Sequence, residues 1–145
     1  MSKQHEPADR EVWRHVGELW FNGENQNRFH TACGTLDVSP PQLKALLSLE
    51  ADVGQSMRVL AEDWHCDASW VTGIVDGLEE RGYVERQVHP TDRRVKVVVI
   101  TPLGEKAKSK ALDLLYDPPA MLRTKLNATE LKTLLALLRK LNVSS

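Results

Sequence analysis

Cysteine is scarce in this chain. Cys33 and Cys66 are the only two in 145 residues, far apart and outside any CxxC pair, which excludes a disulfide scaffold. Long apolar runs are also missing. None approaches the roughly 18 residues that a membrane span needs, and the opening MSKQHEPADREVW lacks the apolar stretch of a secretory signal. The chain is therefore expected in the cytoplasm and off the membrane. Catalytic signatures are absent: no GxSxG, no Walker-type loop and no dinucleotide fingerprint. The histidines, His5, His15, His30, His65 and His89, form no HExxH pair, and none follows residue 89. Neither a metal nor an organic cofactor is expected, and an enzyme lacks a supporting residue set. There is no excess of positive charge either, since the net charge is -1.

The distribution of charge says more than its sum. Residues 1–54 carry five basic and eight acidic groups, residues 55–103 six and eight, and residues 104–145 eight and four. Within the middle block, Arg86, Arg93, Arg94 and Lys96 stand against Asp92 alone between positions 86 and 96. That cluster is a candidate phosphate-binding patch; a solvated hairpin tip is the simpler reading of it in isolation. The length fits one domain, 1–145, and 41% hydrophobic with 27% charged residues is the balance of a globular protein.

Apolar spacing predicts a helix over 8–22 on Val12, Val16, Leu19 and Trp20, with an extension toward Phe29 weakened by Gly23. Ser39-Pro40-Pro41-Gln42 predicts a capped helix start, with Leu43, Leu46 and Leu47 on its inner face. Ser56 caps a short helix carrying Val59, Leu60 and Trp64. After a turn at His65-Cys66-Asp67, Ser69 is placed to start another helix, with Val71, Ile74, Val75 and Leu78 inward and a stop at Arg81-Gly82. The period then changes to two. Val84, Arg86 and Val88 alternate, His89-Pro90-Thr91-Asp92 is turn chemistry, and Val95 to Thr101 is β-branched at every position but Lys96, which together predict a β-hairpin. Thr101-Pro102 opens a helix through Leu115, Asp117-Pro118-Pro119 breaks it, a short piece covers 120–126, and Asn127 to Glu130 caps a final leucine-striped helix. The fold class is mainly α with a small β-hairpin. It amounts to a winged helix-turn-helix over 36–101, with a helical dimerisation region at 8–30 and 102–145.

Such a unit suits double-stranded DNA, because a helix fits the major groove and a hairpin can lie on the adjacent backbone. The segment from Leu60-Ala61-Glu62 through Asp67-Ala68-Ser69-Trp70-Val71-Thr72 to Glu85-Arg86 resembles the DNA-reading segment of MarR-family regulators. His89-Pro90-Thr91-Asp92-Arg93-Arg94, followed by Ile100-Thr101-Pro102-Leu103-Gly104, resembles that family's wing. The resemblance covers roughly 55–104. It implies a homodimeric transcription regulator, usually a repressor, on an inverted-repeat operator. It places Ser69, Trp70, Thr72 and Gly73 on the groove-facing surface, Arg86, Arg93, Arg94 and Lys96 toward DNA, and Asp92 where it orients an arginine. Trp70 and Gly77 depart from the family's usual polar or basic residues. With no Lys or Arg in the reading helix before Arg81, much of the electrostatic attraction falls to the wing.

Trp13, Trp20, Phe29 and His30 are candidates for a crevice that holds a small aromatic or anionic effector, against the simpler reading of core or dimer contact. Cys66 reads as packing. Cys33 has two readings, an inert thiol and a redox sensor. The alternative function class is a winged-helix protein-interaction module with weak or lost DNA binding.

Overall fold

A computed structural model describes residues 7–142; His5 and the rest of the first six residues lie outside the described residues. The chain forms two compact units, one running to Leu115 and one from Tyr116.

In the first unit α1 (Ala8–Trp20) is followed by α2 (Gly23–Leu36), α3 (Pro40–Ser48), β1 (Gln55–Ser56), α4 (Met57–Asp63), α5 (Ala68–Glu80), β2 (Val84–Val88), β3 (Lys96–Ile100) and α6 (Pro102–Tyr116). The sheet is antiparallel in the order β1-β3-β2. The helix expected over 8–22 breaks at Phe21-Asn22. There the Asn22 side chain accepts from the Glu24 amide at 3.1 Å and starts α2 as a separate element. This helix puts Ala32, Cys33 and Leu36 into the core. The predicted capping box at the start of α3 is present, with Ser39 and Gln42 each bonding the other's backbone amide. Ser56 caps α4 as expected, but it also belongs to β1, which pairs with β3. A two-residue strand has no period to read, so sequence patterning cannot show it.

The core joins Leu43 and Leu46 of α3, Leu60 of α4, Val71, Val75 and Leu78 of α5, and Val84, Val98 and Ile100 of the sheet. Ala107 and Ala111 close it from α6, with Leu114 and Leu115 packed partly against it. Two polar ties hold the C-terminal end of α2 to the end of α5: the Tyr83 hydroxyl donates to the Leu36 carbonyl at 3.0 Å, and the Arg81 guanidinium bonds the Asp37 carbonyl. Among the described residues, no helix is long and apolar enough to cross a membrane.

The second unit holds α7 (Ala120–Lys125) and α8 (Ala128–Leu141). Asn127 and Glu130 form the expected capping box of α8. No α8 side chain is buried, and Leu134, Leu135, Leu137, Leu138 and Leu141 are all exposed.

Gly104 marks a joint where a helix packs directly on backbone. A Cβ at this position would run into the Tyr83 carbonyl oxygen, which is itself held by the Thr101 amide at 3.0 Å. Gly104→Ala is expected to destabilise the protein by about 1–3 kcal/mol, even though alanine is the better helix former by about 1 kcal/mol. Urea unfolding followed by circular dichroism measures it; an unchanged or higher midpoint would show that α6 can move away from the hairpin.

Candidate nucleic-acid interface

The geometry of α5 follows from its cap. Asp67, not Ser69, starts the helix: its carboxylate accepts from the Trp70 amide at 2.8 Å and from the Ser69 hydroxyl at 2.7 Å. An aspartate before a helical run is a recognised start signal, but here two serine and aspartate candidates stood within three residues. The turn before it takes His65 into the left-handed region at φ 50. Gly82 at φ 74 ends the motif.

Once started there, α5 turns Val71, Ile74, Val75 and Leu78 into the core and leaves Ser69, Trp70, Thr72, Gly73 and Asp76 exposed. The Thr72 hydroxyl donates to the Ala68 carbonyl at 2.9 Å. With their protons already given to Ala68 and Asp67, the Thr72 and Ser69 oxygens face outward as acceptors, suited to the amino groups of adenine and cytosine in the major groove. Trp70 is 56% exposed. It borders a shallow groove of about 410 Å³ shared with Pro40, Pro41, Lys44, Trp64 and Ile74. Gly77 packs against the Gln42 side chain so closely that a Cβ would overlap it.

The wing is the β2–β3 hairpin. Its tip is closed by the His89 amide on the Val95 carbonyl at 2.8 Å and the Val95 amide on the Asp92 carbonyl at 3.0 Å. Asp92 accepts from the Arg94 amide at 3.1 Å, and the Arg94 guanidinium stands 3.5 Å from the same carboxylate oxygen. Arg93, Arg94 and Lys96 are exposed. Arg86 is placed differently. Its side chain is 21% exposed and bridges Asp76 at 2.5 Å and Glu79 at 3.1 Å, both on α5.

The four candidates for an effector crevice meet different surroundings. Trp13 and Trp20 are exposed on α1, at 76% and 73%. His30 is exposed on α2, whereas Phe29 packs against the core. Cys66 is half-buried beside the core. Cys33 is buried, and burial pushes its thiol up from the ordinary value, away from the low-pKa, accessible thiolate that redox sensing requires.

A helix-turn-helix with one face of its second helix exposed, continued by a basic-tipped hairpin in a small antiparallel sheet, defines a winged-helix DNA-binding protein. Comparison with known proteins agrees. The MarR family profile matches residues 38–96. The chain is 30% identical over 132 residues to a protein of Thauera aromatica assigned as the putative transcriptional regulatory protein for the hcr operon, covering 87% of this chain and 80% of that one. It is 33% identical over 88 residues to the HTH-type transcriptional regulator BilQ of Clostridium symbiosum, a match that spans 61% of each chain. Among solved structures, wild-type MarR of E. coli without ligand superposes with a TM-score of 0.71 at 24% identity, over 96% of this chain and 98% of that one. A mutant of S. aureus MepR bound to an oligodeoxyribonucleotide gives 0.65 at 20% identity, over 94% and 96%. The chain belongs to the MarR family: it is a DNA-binding transcriptional regulator of the winged-helix type.

The Asp67 cap makes the reading helix pH-sensitive in a defined direction. The Trp70 amide and then the Ser69 hydroxyl hold the carboxyl below its usual value. A depressed carboxylate contributes stability that is complete above its unfolded value, about pH 4, and is lost as the pH falls through the lower folded value. Asp67→Ala should therefore melt below wild type at pH 7 and pH 5, with the gap closing below about pH 4. Melting curves across this range measure it; a gap that did not narrow at all as the pH fell below about 4 would show that the carboxylate charge is not what caps α5.

Proposed function

We propose that this regulator works as a homodimer, with one α5 in each of two successive major grooves of an inverted-repeat operator. The observation that carries the reading is the division of α5 into a buried apolar face and an exposed face bearing Ser69, Trp70, Thr72 and Gly73. Two reading helices related by a two-fold axis call for half-sites about one helical turn, roughly 10–11 bp, apart. Arg93, Arg94 and Lys96 supply phosphate contacts from the wing, with Asp92 orienting Arg94. As a repressor, the dimer would occlude the promoter it binds, in the cytoplasm where that DNA is found.

The second copy is argued from apolar surface. Val12, Trp13, Val16, Leu19 and Trp20 on α1 are exposed, as are the leucines of α8. An apolar helix face left exposed marks an interface, and an isologous pair is the commonest way to cover it. An aromatic or anionic effector is proposed to bind where Trp13, Trp20, Phe29 and His30 meet the partner, and to release DNA by favouring a dimer that misplaces the two reading helices. DNA must then weaken effector binding by the same factor.

The wing is the direct test. Arg93→Ala with Arg94→Ala should weaken binding across all sequences and lower the slope of log affinity against log salt by roughly 1 for every phosphate that each chain no longer neutralises. Fluorescence anisotropy on a duplex recovered by genomic-fragment selection measures both. Unchanged affinity and slope would reduce the basic tip to a solvated turn and favour the interaction-module reading. Light scattering that found a monomer at micromolar concentration would end the dimer.

A further inference from the structure

Arg86 sits on β2, paired across the sheet with Val98, yet its side chain turns toward the reading helix. Its guanidinium reaches Asp76 at 2.5 Å and Glu79 at 3.1 Å, and its backbone amide donates to the other Glu79 oxygen at 3.1 Å. Three polar contacts thus run from a single wing residue to two carboxylates one turn apart on α5. The carboxylates are 56% and 43% exposed, whereas the guanidinium is only 21% exposed. Pairs this open contribute little to global stability. Their geometry does something else: a planar guanidinium gripping two carboxylates fixes direction as well as distance.

We propose that Arg86 is a positioning residue that staples the wing to the reading helix through Asp76 and Glu79, setting the angle at which the two elements meet DNA. This deepens the reading of α5 and the wing as one DNA-binding surface and rests on it. In that role Asp76 and Glu79, although acidic and next to the surface that meets phosphate, support DNA binding. A simple electrostatic view gives the opposite sign, because removing two negative charges beside a polyanion should tighten the complex.

The experiment uses that opposition of sign. Wild type, the double variant Asp76→Asn with Glu79→Gln, Arg86→Gln, and the triple variant are titrated by anisotropy into a duplex recovered by genomic-fragment selection. Relaxation-dispersion NMR follows the amides of the wing in the DNA-free proteins. The double variant should bind about tenfold more weakly, and Arg86→Gln should weaken wild type to a similar extent while changing the double variant little, the non-additivity of residues that act as a unit. Wing amides should show exchange in both variants that wild type lacks. Tighter binding by the double variant, an equal loss from Arg86→Gln in both backgrounds, or a wing as ordered as in wild type would each overturn the staple; the second would make Arg86 a direct contact. If Arg86→Gln does not fold, the double variant still decides by the sign of its effect. If wild type binds no duplex, the DNA reading itself fails, and the NMR comparison decides the staple separately.

Discussion

The structure depends on one helix being shared between two environments. Val71, Val75 and Leu78 are fully buried, and burying each such side chain is worth about 1.5–3 kcal/mol. That outweighs any single polar contact on the outer face, so the core sets the rotation of α5 about its own axis. At 3.6 residues per turn, Ser69, Thr72, Gly73 and Asp76 then have to face outward. Neighbouring features serve this placement. Asp67 fixes where the helix begins, Gly82 where it ends, and the Gly77–Gln42 contact lets α3 approach its flank.

α5 contains no lysine or arginine. Arg81, just beyond it, is taken up by the Gly77 and Asp37 carbonyls. Arg86 is taken up by Asp76 and Glu79. Lys44, Arg58, Arg93, Arg94 and Lys96 remain exposed in this lobe, the last three gathered at the wing tip. On the function proposed above the roles are divided: α5 would offer shape and hydrogen-bonding hydroxyls, and the wing attraction to phosphate, which falls off with salt. On that reading a near-neutral chain can bind DNA because Arg93, Arg94 and Lys96 are gathered at the wing tip while Asp76 and Glu79 are paired with Arg86.

Sequence patterning showed most of this architecture, because its signals are strong ones. The inward spacing of Val71, Ile74, Val75 and Leu78, the alternation through Val84, Arg86 and Val88, and the boxes at Ser39 and Asn127 each have one physical reading. It failed where the deciding contact is tertiary. Nothing local in Gln55-Ser56 shows a strand, since its partner Val97-Val98 lies some forty positions on. The end of α1 near residue 22 was legible, but α2 was hidden because residues 22–28 hold no apolar side chain to mark a helical face. Arg86 looked like its basic neighbours at the wing, and only its placement against α5 shows that its charge is already in use. The faces of α1 and α8 were legible as apolar, and both are exposed.

The central claim is that the outer face of α5 lies against DNA. Gly73 tests it most directly, because the position is helical, exposed, and has no neighbour within 4 Å of where a Cβ would stand. Within the free protein, Gly73→Ala should add stability, about 0.4–1 kcal/mol, by restricting the unfolded chain. Against DNA the added methyl would sit in the groove and crowd the base edges. Melting temperature and duplex affinity measured on the same samples should therefore move in opposite directions, the first rising and the second falling. A variant that melted higher and bound DNA as tightly as wild type would contradict the account, because a methyl group at the centre of the reading face would then touch nothing.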